Sequence, residues 1–366
     1  MTGLLPVDRL YAIGVVVRDL EAATAAYAEM LGIDEWEVRE FGPDRVDAAT
    51  AHGRPVTPTF RTATGTTAPP EGATTALGTP IVPVTFELVQ PLRGESPFQE
   101  FRFVRGQGIS HLTVAVQGPE EFARLRDELA GAGLAIAGSL TLDGTLERHF
   151  VDTRAALGGY LVEIRVPLRP GGDELAVTDR WTPARRSAGE GPVEVQGVNH
   201  FGVVVDDLMA TLPEYDRLLG LGSWKIRNWR TEPGRLENAT YQGGPVEHEY
   251  FTARTQISDF GFEIIQPTLG PSHYNRDFRD VVGPGVHHIQ LHATTDEAAF
   301  EGTAKHLDAA GAPVVMGADL FGGGAAFRYH DTGPGLGGWV LETVLMRGEP
   351  DREAMAPDYV VDLAAT

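Results

Sequence analysis

The stretch 12–32, AIGVVVRDLEAATAAYAEMLG, returns as 200–220, HFGVVVDDLMATLPEYDRLLG, at a constant offset of 188 and without a gap. Gly14, Val15, Val16, Val17, Asp19, Leu20, Ala22, Tyr27, Leu31 and Gly32 recur as Gly202, Val203, Val204, Val205, Asp207, Leu208, Ala210, Tyr215, Leu219 and Gly220. Each copy reads as a β-branched strand, an Asp placed to cap a helix, apolar residues at helical spacing, and a Gly suited to a left-handed C-cap. An internal repeat this long is the first guide to the architecture.

The correspondence continues outward. Strand-like runs close the first unit of each half, VTFELVQP at 84–91 and GFEIIQP at 261–267. A second pair of units opens with SHLTVAV at 110–116 and HHIQLHA at 287–293, each leading into a helix; Phe122, Leu125 and Leu129 mark the apolar face of the first. Both units end in a shared signature, DTRAALGGYLVE at 152–163 and DTGPGLGGWVLE at 331–342, in which a Gly-rich turn feeds a last strand. The expected fold is α+β, four βαβββ modules paired into two cup-shaped domains. The N-terminal domain is expected over 1–166, a Pro-, Gly- and charge-rich linker over 167–194, the C-terminal domain over 195–348 and an acidic, peripheral tail over 349–366. Residues 43–80, rich in Thr, Ala, Pro and Gly, read as an insertion or long loop.

The 366 residues suffice for two cores, and no stretch has the length of apolar sequence that a bilayer span needs. The N-terminus shows no export signal, so the expected compartment is the cytoplasm. With no cysteine, any metal must sit on nitrogen and oxygen. The net charge of −21 disfavours nucleic acid and anionic membranes as partners. A small-molecule substrate is the expected partner, and a homodimer is compatible with the sequence.

Side chains alternate faces along a strand, so ligands to one ion must point inward from strands that line one cavity. His200 and Glu263 lie on the opening and closing strands of the third module, and His288 and Glu342 on those of the fourth. Two imidazoles and two carboxylates at repeat-equivalent positions, with no sulfur, suit one divalent ion of Zn, Mn, Fe, Co or Ni and leave room for two substrate oxygens. In the N-terminal copy Ala12 replaces the first histidine, while Glu87, His111 and Glu163 remain. The site in that half is expected to be degenerate.

With these modules and ligands the chain resembles the vicinal oxygen chelate superfamily, which includes glyoxalase I, methylmalonyl-CoA epimerase and the type I extradiol dioxygenases. The resemblance covers nearly the whole chain and implies that His200, Glu263, His288 and Glu342 hold the metal. It also separates two chemistries. Isomerases and epimerases of the family use four protein ligands, whereas the dioxygenases use two histidines and one glutamate, so Glu263 favours the former. The run FELVQPLRGESPF at 86–98 is likewise similar to the epimerase pattern. The reaction expected is epimerisation or isomerisation through an enediolate next to a carbonyl, with Glu263 and Glu342 as the candidate catalytic carboxylates. An extradiol ring-cleaving dioxygenase is the alternative, partly echoed by YHDTGPG at 329–335, and a metal-free small-molecule binding protein is the third reading. An acyl-CoA lacks a basic patch to meet its phosphates; a cyclic keto-polyol or sugar-like ketone fits the charge better. Gln290, His292, Tyr329, His330, His248 and Tyr250 are candidates for the substrate pocket, with Trp224, Trp229 and Tyr241 as further aromatic residues near it.

Overall fold

The computed structural model describes residues 3–7, 10–69, 71–74, 80–185, 191–257, 260–348 and 353–363. In the first half the strand Ala12–Val16 is followed by the helix Leu20–Leu31. Asp19 caps that helix by accepting from the Ala22 amide at 3.0 Å, and Gly32 ends it in the left-handed region at φ 69°. Asp207 and Gly220 do the same for the helix Leu208–Leu219, with φ 71° at the glycine. The repeat therefore preserves both the start and the stop signals of the helix.

Each half forms a curled sheet of 11 strands with one layout. At the centre of the first, Ala12–Val16 runs parallel to Thr85–Arg93 on one side and antiparallel to Gly108–Ala115 on the other. Gly108–Ala115 pairs in turn with Leu161–Pro167. In the second half His200–Val204, Phe260–Leu269, Gly285–Thr294 and Val340–Met346 stand in the same relation. The four strands expected to carry ligands are thus neighbours in the second sheet, as are their counterparts in the first, although they are far apart in sequence.

The two halves meet through a pseudo-symmetric contact. The Tyr27 hydroxyl donates to the Leu336 carbonyl at 3.0 Å and accepts from the Trp339 indole at 3.0 Å. Its counterpart Tyr215 donates to the Leu157 carbonyl at 2.9 Å and accepts from the Tyr160 hydroxyl at 3.2 Å. One continuous apolar cluster, from Ile13, Val15 and Leu88 to Phe201, Phe262 and Trp339, lies beneath this contact. Burial of that area is the main stabilising term joining the halves, and the paired hydroxyls leave no polar group unsatisfied within it.

Residues 43–80, expected as a loop, contain the strands Val46–Ala51, Arg54–Pro55 and Thr59–Thr66. Their Thr- and Ala-rich sequence carries too little hydrophobic contrast to show a period of two, yet Val46–Ala51 pairs with Ile136–Leu142 and closes the cup. Two short strands also lie in stretches expected to be irregular. Asp179–Trp181, inside 167–194, adds to Trp36–Phe41, and Tyr359–Asp362, in the C-terminal tail, adds to Ser223–Arg230. Among the described residues no helix is long and apolar enough to cross a membrane.

Candidate metal centre

Strand register brings the four predicted ligands together. Gly202 on the central strand pairs with Glu263 on one neighbour and His288 on the other, and Gln290, two residues along the strand from His288, pairs with Glu342. Glycine is needed at 202 because the His288 ring lies across it: a Cβ built there would sit 1.9 Å from the ring. The same holds for Gly14 and His111, at 2.0 Å. The glycine shared by both repeats is thus a seat for the histidine of the next strand.

His200 Nε2 lies 3.2 Å from His288 Nε2, 3.4 Å from Glu263 Oε2 and 3.1 Å from Glu342 Oε2. His288 Nε2 is 3.6 Å from Glu263 Oε2 and 3.4 Å from Glu342 Oε2. Donors ~2.1 Å from one ion are about 3.0 Å apart at a right angle and about 3.4 Å at the tetrahedral angle, so these spacings suit a shared cation. All four residues are buried, and Glu342 Oε2 accepts no hydrogen bond among the described residues. A buried carboxylate oxygen without a donor calls for a cation beside it. Burial would raise the Glu342 carboxyl, but the two imidazoles hold it down to about 2. His200, His288 and Glu342 therefore form a group that fits a divalent ion, and Glu263 stands beside it, near both imidazoles.

The outer contacts orient the ligands. With His200 Nε2 turned to the centre, its Nδ1–H donates to Asn199 Oδ1 at 3.0 Å, and Arg254 donates to the same oxygen at 2.9 Å. With His288 Nε2 likewise turned inward, its Nδ1–H donates to His287 Nδ1 at 3.0 Å. The opposite nitrogen of His287 then donates to His273 Nδ1 at 2.8 Å. Burial lowers the pKa of both His287 and His273, which keeps the relay of imidazoles neutral. His273 is delivered by a π-helical turn, His273–Arg279, opened by a capping box between Ser272 and Asn275. Such turns re-aim side chains that a regular helix would direct elsewhere. The sequence reading missed this relay; the His287-His288 doublet was its only signal.

Of the candidate pocket residues, Tyr329 faces the centre: its hydroxyl is 3.5 Å from His288 Nε2 and 2.6 Å from the Tyr274 hydroxyl. Tyr250 packs edge-on against Tyr274, and His248 edge-on against Tyr250. Tyr274, which the sequence did not single out, thus joins two predicted tyrosines in one wall. Gln290 is buried beside the ligand strand positions. His292 and His330 are held elsewhere: a bulge turns His292 to the Glu194 carbonyl at 3.0 Å, and His330 bonds Thr343 at 3.0 Å. Trp224 belongs to the core and bonds the Leu221 carbonyl, Trp229 bonds Thr252, and Tyr241 bonds Asp277 at 2.8 Å.

In the N-terminal cup His111 Nε2 lies 3.0 Å from Glu163 Oε2 and 3.8 Å from Glu87 Oε2, but Ala12 stands where His200 stands in the other half. Arg148 and Arg165 reach the same two carboxylates.

Among solved structures, a variant 4-hydroxymandelate synthase from Streptomyces coelicolor superposes with a TM-score of 0.47 at 13% identity, over 94% of this chain and 94% of that one. A halotolerant catechol dioxygenase superposes with a TM-score of 0.38 at 11% identity, over 94% of this chain and 89% of that one. No curated protein matches in sequence. A sequence profile described as glyoxalase/bleomycin resistance protein/dioxygenase superfamily matches residues 12–150, and the second half repeats that segment's strand order. Over residues 12–150 the chain is thus similar to the glyoxalase/bleomycin resistance protein/dioxygenase superfamily, the vicinal oxygen chelate proteins.

Proposed function

We propose that the C-terminal cup holds one divalent ion through His200, Glu263, His288 and Glu342, and that the protein is an epimerase or isomerase of a small α-hydroxy ketone. The observation that carries this reading is the position of Glu263, whose Oε2 is 3.4 Å and 3.6 Å from the two imidazole nitrogens, nearly matching Glu342 at 3.1 Å and 3.4 Å. A four-residue set leaves two positions of an octahedral shell, enough for a carbonyl oxygen and its neighbouring hydroxyl. When bound, the ion would supply a Lewis acid that acidifies the C–H of the hydroxyl-bearing carbon next to the carbonyl.

The chain supplies the rest. Asn199 and His287 fix the two imidazoles, the Tyr250, Tyr274 and Tyr329 wall limits how much water shares the cup, and Glu263 and Glu342 are the carboxylates placed to take the proton from carbon and return it. A keto-polyol or cyclitol ketone suits a protein of net charge −21 better than a phosphorylated substrate does.

The test is incubation of the metal-loaded protein with cyclic α-hydroxy ketones in deuterium oxide without oxygen, watched by NMR. Exchange of the carbon-bound proton next to the carbonyl supports the reading; no exchange with any such ketone refutes it. A second reading, ring cleavage of a catechol, is favoured by one observation, that His200, His288 and Glu342 alone form a two-histidine, one-carboxylate group. Oxygen uptake with catechols that survives Glu263→Ala would establish it in place of the first.

A further inference from the structure

Superposing the repeats by register shows what replaces the ion in the N-terminal cup. Glu163 pairs with Phe150, and Arg165 with Arg148. In the other half Glu342 pairs with Tyr329, and Val344 with Phe327. Two apolar residues of the C-terminal cup are therefore arginines in the N-terminal cup, while the first histidine has become Ala12. Arg148 is almost wholly buried. Its Nη2 donates to Glu87 Oε2 at 2.5 Å and to Glu163 Oε2 at 2.8 Å, and its Nε donates to Glu163 Oε1 at 2.6 Å. Arg165 bonds Oε1 of each carboxylate at 3.0 Å. Nη2 thus takes up the same two Oε2 atoms that an ion beside His111 would need, so guanidinium and cation compete for them. Withdrawing Arg148 would leave two carboxylates buried beside a single guanidinium, a strongly destabilising loss.

Above this quartet lies a cavity of about 1090 Å³, which has Ala12, Glu87, Arg148 and Arg165 on its floor. That is slightly above the roughly 300–1,000 Å³ of small-molecule sites. Two carboxylates and two guanidiniums balance, so an ionic ligand would surrender its hydration without meeting net opposite charge. The rim adds acids, Glu37, Asp173 and Glu174, of which Glu37 is bonded to Arg39. The walls carry hydroxyls, Thr62, Thr64 and Thr85, and the half-exposed ring of Tyr11, held by the Arg165 guanidinium 4.9 Å from its centre. Donors and acceptors set side by side next to an aromatic face match vicinal hydroxyls on an uncharged ring.

We propose that the N-terminal cup is a metal-independent binding site for a small neutral polyhydroxylated molecule, with the Arg148 guanidinium built in where an ion would stand. This does not depend on the chemistry assigned to the other cup, because the site works without metal.

Two measurements test it. Metal analysis of the protein as purified and after saturation with Zn²⁺ gives one ion per chain, and the variant A12H/R148F/R165V, which copies the C-terminal residues, takes up a second. Two ions in the unaltered protein, or a folded triple variant that still takes one, overturns the inference. Should that variant not fold, Arg148→Met serves instead, its lowered melting temperature raised again by Zn²⁺ but not by Zn²⁺ with excess chelator; no rescue counts against the proposal. For the ligand, chelated protein is titrated with myo-inositol, glucose and maltose by calorimetry and saturation-transfer NMR. Binding of at least one with a Kd of about 1 mM or tighter, weakened about tenfold or more by Thr64→Trp and by Tyr11→Ala, is the expected result. No binding by any of the three, or binding indifferent to both substitutions, overturns it.

Discussion

Gly202→Ala and Gly14→Ala are sterically twin substitutions with different expected consequences. A methyl at 202 would lie 1.9 Å from His288 Cε1 and 2.3 Å from both ring nitrogens; a methyl at 14 would lie 2.0 Å from His111 Nε2 and 2.1 Å from its Cε1. Ordinary carbon contacts begin near 3.4 Å, so in either case the ring must move by roughly 1.5 Å. Both histidines are fully buried and cannot swing into solvent. The overpacking cost is about 1–3 kcal/mol for each, a melting shift of about 2–4 °C per kcal/mol in a half of this size.

The difference lies in what each ring does. Coordination tolerates about 0.2 Å, so a shift of this size removes His288 as a ligand, and the loss should exceed the roughly 10–100-fold cost of disturbing an outer contact. His111 faces Glu163 and Glu87, carboxylates already satisfied by Arg148, and its displacement costs stability only. The assay is metal affinity by competition with a chromophoric chelator, together with thermal melts of both variants. Equal retention of metal by Gly202→Ala and the unaltered protein would refute the seat argument, and equal loss in both variants would refute the assignment of the metal to one cup.

His287→Phe keeps the volume of the relay but removes the acceptor for His288 Nδ1–H, and should weaken metal binding about 10–100-fold, read by the same competition assay, with a small change in melting temperature. Stability should also fall in mild acid. Burial lowers His248 to about 4 and His330 to about 3, so between the unfolded value near 6.5 and those values the unfolded chain binds more protons than the folded one. The contribution of these histidines is complete above about pH 6.5 and is lost as pH falls towards 4, by about 2–3 kcal/mol for each at most. Urea titrations from pH 7.5 to 4.5 check this, and a flat profile would show that neither ring is held neutral.

The repeat made the modules legible because its punctuation, Asp19 with Gly32 and Asp207 with Gly220, acts locally through capping and the left-handed turn. The candidate ligands were legible because equivalent strands carry them. What remained hidden depended on partners distant in sequence. The strands Val46–Ala51 and Thr59–Thr66 hold threonine and alanine on both faces, so pairing and not pattern makes them strands. His273 reaches His287 only through a π turn in place of the helix Pro97–Arg105 of the first half. Arg148 and Arg165 lie on separate strands whose register the sequence does not state. A sequence signal did exist: the half that loses a histidine at position 12 gains two arginines where the other half has Phe327 and Val344.

That exchange has a consequence for which parts of the molecule feel metal removal. Each cup buries two carboxylates side by side, an arrangement that requires compensating positive charge. The N-terminal cup carries its compensation covalently in Arg148 and Arg165. Near the C-terminal pair the nearest guanidinium is that of Arg254, 4.0 Å from Glu263 and half-exposed, so that cup depends on the ion or on protonated imidazole. Binding at 100 times Kd stabilises the folded form by about 2.7 kcal/mol, and chelation should remove this from one half alone. Hydrogen exchange with and without chelator reads it strand by strand: amides of His200–Val204, Phe260–Leu269, Gly285–Thr294 and Val340–Met346 should exchange faster, up to about 100-fold where opening is local. Those of Ala12–Val16, Thr85–Arg93, Gly108–Ala115 and Leu161–Pro167 should be nearly unchanged. Acceleration in both halves alike would mean that the core shared around Tyr27 and Tyr215 couples them into one unfolding unit; acceleration in the N-terminal strands alone would place the metal in the wrong cup.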